Sequence, residues 1–134
     1  MIITLCSSTT FFDKLLELEQ ALIEYGHTVL LPNNTKYYTP TEDHFVKIHY
    51  NSIHDNFINI EKSNAIYVAN YKKNGIAGYI GGNTLLEMEF AFYLKKPIYL
   101  LNELPNSIPY HGELQAVQPI IIGTHWHRLE NTSK

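Results

Sequence analysis

Short apolar runs rich in β-branched residues alternate along this chain with stretches of helical periodicity. This alternation is typical of βα units around a parallel sheet. The runs are apolar along most of their length, as expected for strands that are covered on both faces. Five strands are predicted, at residues 2–6, 28–31, 65–69, 97–101 and 119–122. The pattern therefore predicts an α/β fold.

Two helices are predicted between the first three strands. Apolar residues recur at helical spacing from Phe11 to Ile23, with Thr10 as the expected N-cap and Gly26 as the expected end. The next stretch carries a looser apolar stripe and is predicted to form a long helix that begins near residues 41–42. Both helices would connect neighbouring strands of the sheet.

A third helix is predicted to begin at Asn83–Thr84 and to stop before Pro97. Two other segments look irregular. Residues 32–40 are polar, and residues 71–82 contain four glycines. Ligands of open α/β sheets bind outside the carboxyl ends of the strands, where both segments would emerge. The two segments are therefore predicted to form walls of a pocket.

The composition agrees with a globular domain. The chain has 134 residues, 45% of them hydrophobic and 17% charged, which predicts one domain spanning residues 1–134. A net charge of −3 gives no field that attracts nucleic acid polymers. Cys6 is the only cysteine, which suits a reducing cytoplasm, and the apolar run at residues 2–6 is too short to span a membrane. A soluble, cytoplasmic protein that binds neither nucleic acid polymers nor a membrane is expected.

The segment from Gly81 to Glu87 is the strongest candidate for a site. Gly81, Gly82, Asn83 and Thr84 form a glycine turn that enters a helix, and free amides there attract phosphate or sugar oxygens. Glu87 would project its carboxylate into the same crevice and serve as a nucleophile at a sugar carbon. Two structural interpretations stay open: a capping box between Thr84 and Glu87, and a Gly-Gly-Asn segment that is only a turn.

Further candidates border the same crevice. Ser7 and Ser8 lie in the turn after the first strand and offer hydroxyl groups, although they are equally typical of plain turn formers. Tyr79 borders the glycine turn and is predicted to stack on a base, unless it merely buries its ring. The turn after the first strand lacks the Gly-x-Gly-x-x-Gly pattern of dinucleotide-binding proteins, so binding of NAD has little support.

The histidines do not predict a metal site. His44, His49 and His54 are spaced by five residues, which turns each about 140° from the last on a helix. His125 and His127 could share a strand face, but two ligands are too few for a typical zinc site. No metal and no cofactor are therefore expected.

The chain resembles the nucleoside 2-deoxyribosyltransferase-like proteins, which include deoxynucleoside monophosphate N-hydrolases and uncharacterised short members. The most specific similarity covers residues 78–88, and similar segments occur at residues 3–8, 26–32, 63–70 and 90–101. The resemblance implies a Rossmann-like, flavodoxin-like three-layer sandwich with a five-stranded parallel sheet. It also implies a homodimer or larger homo-oligomer, in which a neighbouring subunit completes the pocket.

By this resemblance, Glu87 matches the glutamate that attacks the anomeric carbon. The chain departs from the family at three positions. Asn56 stands where the active enzymes have an aspartate, and Asp55 beside it is rotated about 100° on a helix. Asn64 stands where an aspartate is usual, and Glu89 stands where glycine or another small residue is usual. An asparagine cannot titrate, so Asn56 raises the question of whether catalysis is retained.

The sequence thus predicts cleavage or transfer at the N-glycosidic bond of a nucleoside or (deoxy)nucleoside monophosphate, with Glu87 as nucleophile. Asn70 is a further candidate for contact with base or sugar. One alternative is a nucleotide-binding module without catalysis. Another is a phosphoribohydrolase, because residues 82–87 also resemble the Gly-Gly-x-Thr-x-x-Glu pattern of the lysine-decarboxylase-like nucleotide-binding proteins.

Overall fold

The computed structural model describes residues 1–33 and 42–131, with side chains described for residues 1–33 and 51–129. Its strands form one five-stranded sheet in the order β2-β1-β3-β4-β5, with every neighbouring pair parallel. The strands are β1 (Ile2–Cys6), β2 (Thr28–Leu30), β3 (Ala65–Val68), β4 (Ile98–Leu100) and β5 (Ile120–Ile121). This is the flavodoxin-like order, and it confirms the predicted α/β sheet.

The four later strands are shorter than the sequence pattern predicts. Leu31, Ala69, Pro97 and Leu101 are apolar, but they lie just outside the paired strands. Three of them still hydrogen-bond to neighbouring strands: the Ala69 amide donates to Cys6, the Leu101 amide donates to Val68, and the Pro97 carbonyl oxygen accepts from Ile66. The pattern therefore located the strands correctly and placed each differing end one residue too far out.

The helices are α1 (Phe12–Glu24), α2 (Glu42–Lys62), α3 (Gly82–Tyr93), α4 (His111–Ala116) and α5 (Arg128–Asn131), with a 3-10 turn at Thr9–Phe11 before α1. The first three helices follow the strands in the expected places, whereas α4 and α5 were not predicted. Gly26 has a φ of 103° and follows the end of α1, as predicted. Thr10 does not cap α1, because it lies within the 3-10 turn and the N-cap is Phe11.

Apolar side chains cover both faces of the sheet. On one face, Ile3 and Leu5 of β1 pack with Leu15, Leu18 and Leu22 of α1. On the other face, residues of β1, β3 and β4 pack with α2 and α3. The buried members of this second group include Cys6, Ile60, Ile66, Val68, Met88, Ala91 and Leu100. The result is three layers, with α2 and α3 side by side over the carboxyl ends of β1 and β3.

The described residues contain neither a membrane-spanning helix nor a cluster of metal-binding side chains. No helix in residues 1–33 and 42–131 has both the length and the apolarity that a membrane span requires. Across the same ranges, no group of three or more histidine, cysteine, aspartate or glutamate side chains is arranged to hold a metal ion.

Candidate functional site

A cavity of about 350 Å³ lies at the carboxyl end of the sheet. It is bounded by the turn after β1, the segment before α3 and the first two turns of α3. Its lining residues are Ser7, Ser8, Thr9, Pro32, Ser52, Ile53, Lys73, Tyr79, Gly81, Gly82, Asn83, Thr84 and Glu87. The volume falls within the range of small-molecule sites, roughly 300–1,000 Å³. The location is the one where parallel α/β sheets bind ligands.

Glu87 reaches the cavity from the second turn of α3. The helix begins at Gly82, one residue earlier than predicted, and its N-cap is Gly81. Thr84 therefore lies inside the first turn, and no side chain caps the helix. The capping-box interpretation of Thr84 and Glu87 is wrong, because the glycine turn places the cap three residues before Thr84. The Glu87 carboxylate therefore does not cap the start of its own helix.

The partner of Glu87 is instead on the neighbouring helix. The Asn56 amide of α2 donates a hydrogen bond to Oε2 of Glu87. Asn59, one turn further along α2, donates to Oδ1 of Asn56 over 3.2 Å and so orients that amide with its nitrogen toward the carboxylate. Phe57 and Phe90 stack between the two helices with ring centroids 4.4 Å apart. Packing of α2 against α3 therefore sets the position of the carboxylate.

Burial controls the protonation of Glu87. The side chain is only 7% exposed, and this burial raises its pKa to about 7, against the lowering effect of hydrogen bonds from Asn56 and Cys6. The pKa of the Cys6 thiol is raised well above its usual value, first by burial and then by the charge of Glu87. Cys6 therefore stays a neutral thiol, and Glu87 exchanges its proton near neutral pH.

The start of α3 adds hydrogen-bond donors to the cavity. The first backbone amides of a helix have no partner within the helix, and the helix dipole gives this end a partial positive charge. Gly82, Asn83 and Thr84 form the first turn and line the cavity. A Cβ at Gly81 would lie 3.4 Å from the Tyr79 ring, whereas one at Gly82 would meet nothing within 4 Å. The Tyr79 ring therefore lies in van der Waals range of the helix start.

Ser7 and Ser8 form the wall opposite α3. Ser7 donates its hydroxyl proton to the carbonyl oxygen of Ala69 over 2.7 Å. The Ser8 hydroxyl accepts a hydrogen bond from the Lys73 ammonium over 2.8 Å and lies within 3.3 Å of the Thr10 hydroxyl. The structure thus brings both predicted serines to the cavity and holds each by a contact beyond its own turn.

Asn70 does not reach the cavity. It is buried beside the following loop, where its amide donates to the carbonyl oxygens of Asn102 and Glu103 over 2.9 and 3.1 Å. Its Oδ1 accepts from the backbone amide of Asn102 over 2.9 Å. Because these bonds use both ends of the amide to join the loops after β3 and β4, the predicted contact of Asn70 with base or sugar finds no support in its position.

The three departures from the family pattern have different surroundings. Asn56 contacts Glu87, whereas Asp55 is half exposed and accepts a hydrogen bond from Asn33 over 2.7 Å. Asp55 therefore does not replace an acid at position 56. Asn64 accepts a hydrogen bond from the backbone amide of Ile2 over 2.7 Å, which ties β3 to the start of β1. Glu89 is exposed on α3, so a small residue is not required there.

Pro32 and Lys73 line the cavity, in agreement with the two predicted pocket walls, but the sequence pattern assigned neither a specific role, and it did not point to Ser52 and Ile53. Residues 34–40 of the first predicted wall lie outside the described residues. The signal for Lys73 was present, because the next two residues are Asn-Gly, the commonest sequence of a tight hairpin turn. A tight turn after β3 places the residue before it at the edge of the crevice. Ser52 and Ile53 needed the position of α2 on the sheet, which the pattern of residues does not give.

Comparison with solved structures identifies the fold. A 2-deoxyribosyltransferase from Bacillus psychrosaccharolyticus superposes with a TM-score of 0.64 and 19% sequence identity, covering 98% of this chain and 91% of that one. The chain has the 2-deoxyribosyltransferase fold. A CMP N-glycosidase from Clostridium botulinum superposes with a TM-score of 0.53 and 17% identity over 98% of both chains. No protein-family model and no curated protein matches the sequence.

The 2-deoxyribosyltransferase fold extends over nearly the whole chain, so the family resemblance read from the sequence is confirmed at the level of the fold. Within this fold, the cavity combines three chemical features. A buried carboxylate that titrates near neutral pH lies beside helix-terminal amides and serine hydroxyls, and the Lys73 ammonium lines the same space. Such a set can bind a polar ligand and bring a nucleophile to it.

Proposed function

We propose that this protein cleaves or transfers the N-glycosidic bond of a nucleoside or nucleotide, with Glu87 as the nucleophile. One observation carries the proposal. The Glu87 carboxylate borders the cavity, and the Asn56 amide of a neighbouring helix holds it in place. The shared fold of a 2-deoxyribosyltransferase and a CMP N-glycosidase supports this class of substrate.

The reaction proceeds in two displacements. Ionised Glu87 attacks the anomeric carbon, a carbon–oxygen bond forms, and the carbon–nitrogen bond breaks. The departing base keeps the electron pair of that bond and takes a proton from solvent. Water then attacks the same carbon to give hydrolysis, or a second base attacks it to give transfer. Either attack releases Glu87 as a carboxylate, so no cofactor is required.

The surrounding residues bind and orient the substrate. The amides of Gly82, Asn83 and Thr84 and the hydroxyl groups of Ser7 and Ser8 hold sugar or phosphate oxygens. Tyr79, whose ring also lines the cavity, contacts the base. Because an uncharged carboxyl group is a poor nucleophile, activity should rise with pH through about 7, where Glu87 loses its proton.

The test is cleavage by the purified protein over a panel of nucleosides and monophosphates. Substitution Glu87→Gln keeps the size of the side chain and removes the nucleophile, so kcat should fall by about a thousandfold or more. Glu87→Ala should have the same effect. The matched control is Glu89→Gln, two residues along α3 and exposed, which should leave kcat unchanged. Retention of activity in Glu87→Gln would exclude Glu87 as nucleophile.

A nucleotide-binding protein without catalysis is the second candidate. It is favoured by Asn56, because the amide beside Glu87 cannot donate or accept a proton in an acid–base step. In that case nucleotides would raise the midpoint of thermal unfolding with no product formed. Product analysis on the same samples separates the two functions. The expected homo-oligomer stays a prediction.

A further inference from the structure

Lys73 is a charged residue of the cavity that the proposed mechanism leaves without a role. Its ammonium donates a hydrogen bond to Ser8 over 2.8 Å and lies 5.5 Å from the centroid of the Tyr79 ring. Both partners are neutral, so they position the charge without neutralising it. Within residues 1–33 and 51–129, no carboxylate forms an ion pair with Lys73. A positive charge is therefore held at the cavity wall.

The backbone at Lys73 is also held in place. Lys73 and Ile76 exchange both backbone hydrogen bonds, over 3.1 and 2.9 Å. Between them, Asn74 and Gly75 have φ angles of 54° and 75°. Positive φ at both central residues is the mark of a type I′ turn, the tightest common hairpin connection. A fixed backbone and two side-chain contacts reduce the entropy that Lys73 would lose on binding a ligand.

The positive groups of the cavity are complementary to a ligand with one anionic end. The start of α3 lines the same cavity and adds a partial positive charge to that of Lys73. The Glu87 carboxylate, which lies deeper between α2 and α3, repels anions from its own vicinity. A ligand that fits both features presents an uncharged carbon to Glu87 and an anion to Lys73.

We infer that Lys73, the Ser8 hydroxyl and the start of α3 form a phosphate subsite, and that the substrate class is nucleoside monophosphates rather than free nucleosides. A phosphate monoester carries about −1.5 to −2 charges at pH 7 and three acceptor oxygens, which suits an ammonium, a hydroxyl and helix amides together. The choice of substrate rests on the proposed function, whereas binding of the phosphate does not require turnover.

The experiment measures binding in the Glu87→Gln protein, which does not consume the ligand. Dissociation constants are compared by calorimetry for a nucleoside monophosphate and its parent nucleoside, with and without Lys73→Ala. Loss of a charge-assisted hydrogen bond should weaken monophosphate binding roughly ten- to a hundredfold. Nucleoside binding should change less than about twofold, because an uncharged ligand gains little from the ammonium.

Two further variants serve as controls. Lys72→Ala removes a neighbouring exposed lysine that lines a separate surface depression beside Asn102, and it should leave both dissociation constants unchanged. Lys73→Gln keeps a side chain able to bond to Ser8 but removes the charge, so it should lose monophosphate affinity like Lys73→Ala. A Lys73→Gln protein that binds the monophosphate as tightly as its parent would overturn the subsite.

Failure of the subsite and failure of the glycosidic proposal give different results. If Lys73→Ala weakened the binding of nucleoside and monophosphate equally, the subsite would be overturned, whether or not the protein has activity. Lys73→Ala could weaken monophosphate binding alone while the protein with Glu87 intact cleaves neither ligand. That result would support the subsite and overturn the glycosidic proposal. Glu87-dependent cleavage of nucleosides and monophosphates at equal rates, with no effect of Lys73→Ala on either, would overturn the subsite alone.

Discussion

The two faces of the sheet are built from different chemistry. On the face covered by α1, the buried residues of β1 and α1 are apolar, and the tyrosine hydroxyls at its edge bond to backbone carbonyls. On the face covered by α2 and α3, the core also contains Asn56, Ser63 and Glu87. Asn56 and Glu87 meet between the two helices, and Glu87 lines the cavity, whereas Ser63 hydrogen-bonds to Thr4 of β1 and does not line it.

The difference shows what each face contributes to stability. Burial of apolar side chains contributes stability in proportion to the area removed from water. Burial of a carboxylate costs stability unless hydrogen bonds compensate for the lost hydration. The raised pKa of Glu87 shows that its hydrogen bonds compensate only in part. Both faces therefore stabilise the molecule through apolar burial, but only the face under α2 and α3 also holds a destabilising buried carboxylate.

The largest effect on stability is expected on the α1 face. Leu22 is fully buried, and Leu22→Ala should lower the free energy of unfolding by about 2–5 kcal/mol, through lost burial and the cavity left behind. Its neighbour Ile23 is nearly half exposed, so Ile23→Ala is the matched control and should cost about 1 kcal/mol or less. Urea denaturation measures both. Equal costs would mean that α1 does not anchor its face.

On the opposite face, Glu87→Gln should stabilise the protein at alkaline pH. The pKa of Glu87 is raised from 4.5 to about 7 on folding, so the folded state binds more protons and stability falls as pH rises between these values. Glutamine carries no charge and should recover about 3 kcal/mol at pH 8 and nothing near pH 4. Urea denaturation at both pH values, with Glu89→Gln as control, checks this window. A gain independent of pH would contradict it.

A smaller effect is expected for Asn56→Asp. The substitution replaces the donor to Glu87 with a second acid, which should raise the pKa of Glu87 and cost about 2 kcal/mol of stability at pH 8. The rise of activity with pH should move to higher pH as well. Asn51→Asp adds the same charge at an exposed position of α2 and should change neither property. An unmoved pH profile would show that Asn56 does not set the protonation of Glu87.

The sequence was most informative where a local pattern has one physical meaning. Buried strands require apolar runs, and a pair of glycines favours a turn before a helix. The positions of the strands were therefore predicted correctly, and the start of α3 was predicted to within one residue. The meaning of Thr84 and Glu87 was open because three-residue spacing fits both a capping box and a site. Only the start of α3 at Gly82 excluded the capping box. The orientation of Asn70 was open as well, because the end of a strand can face a ligand or a neighbouring loop equally well.

By itself, the sequence determined the βα alternation, the glycine turn before α3 and the acidic residue near it, because these depend on the period and conformational preferences of neighbouring residues. The tertiary structure decided that Asn56 meets Glu87 and that Lys73 meets Ser8, pairs separated by 31 and 65 positions. Such contacts depend on how helices pack on the sheet. That packing is the result of many distant side chains acting together, so no local pattern contains it.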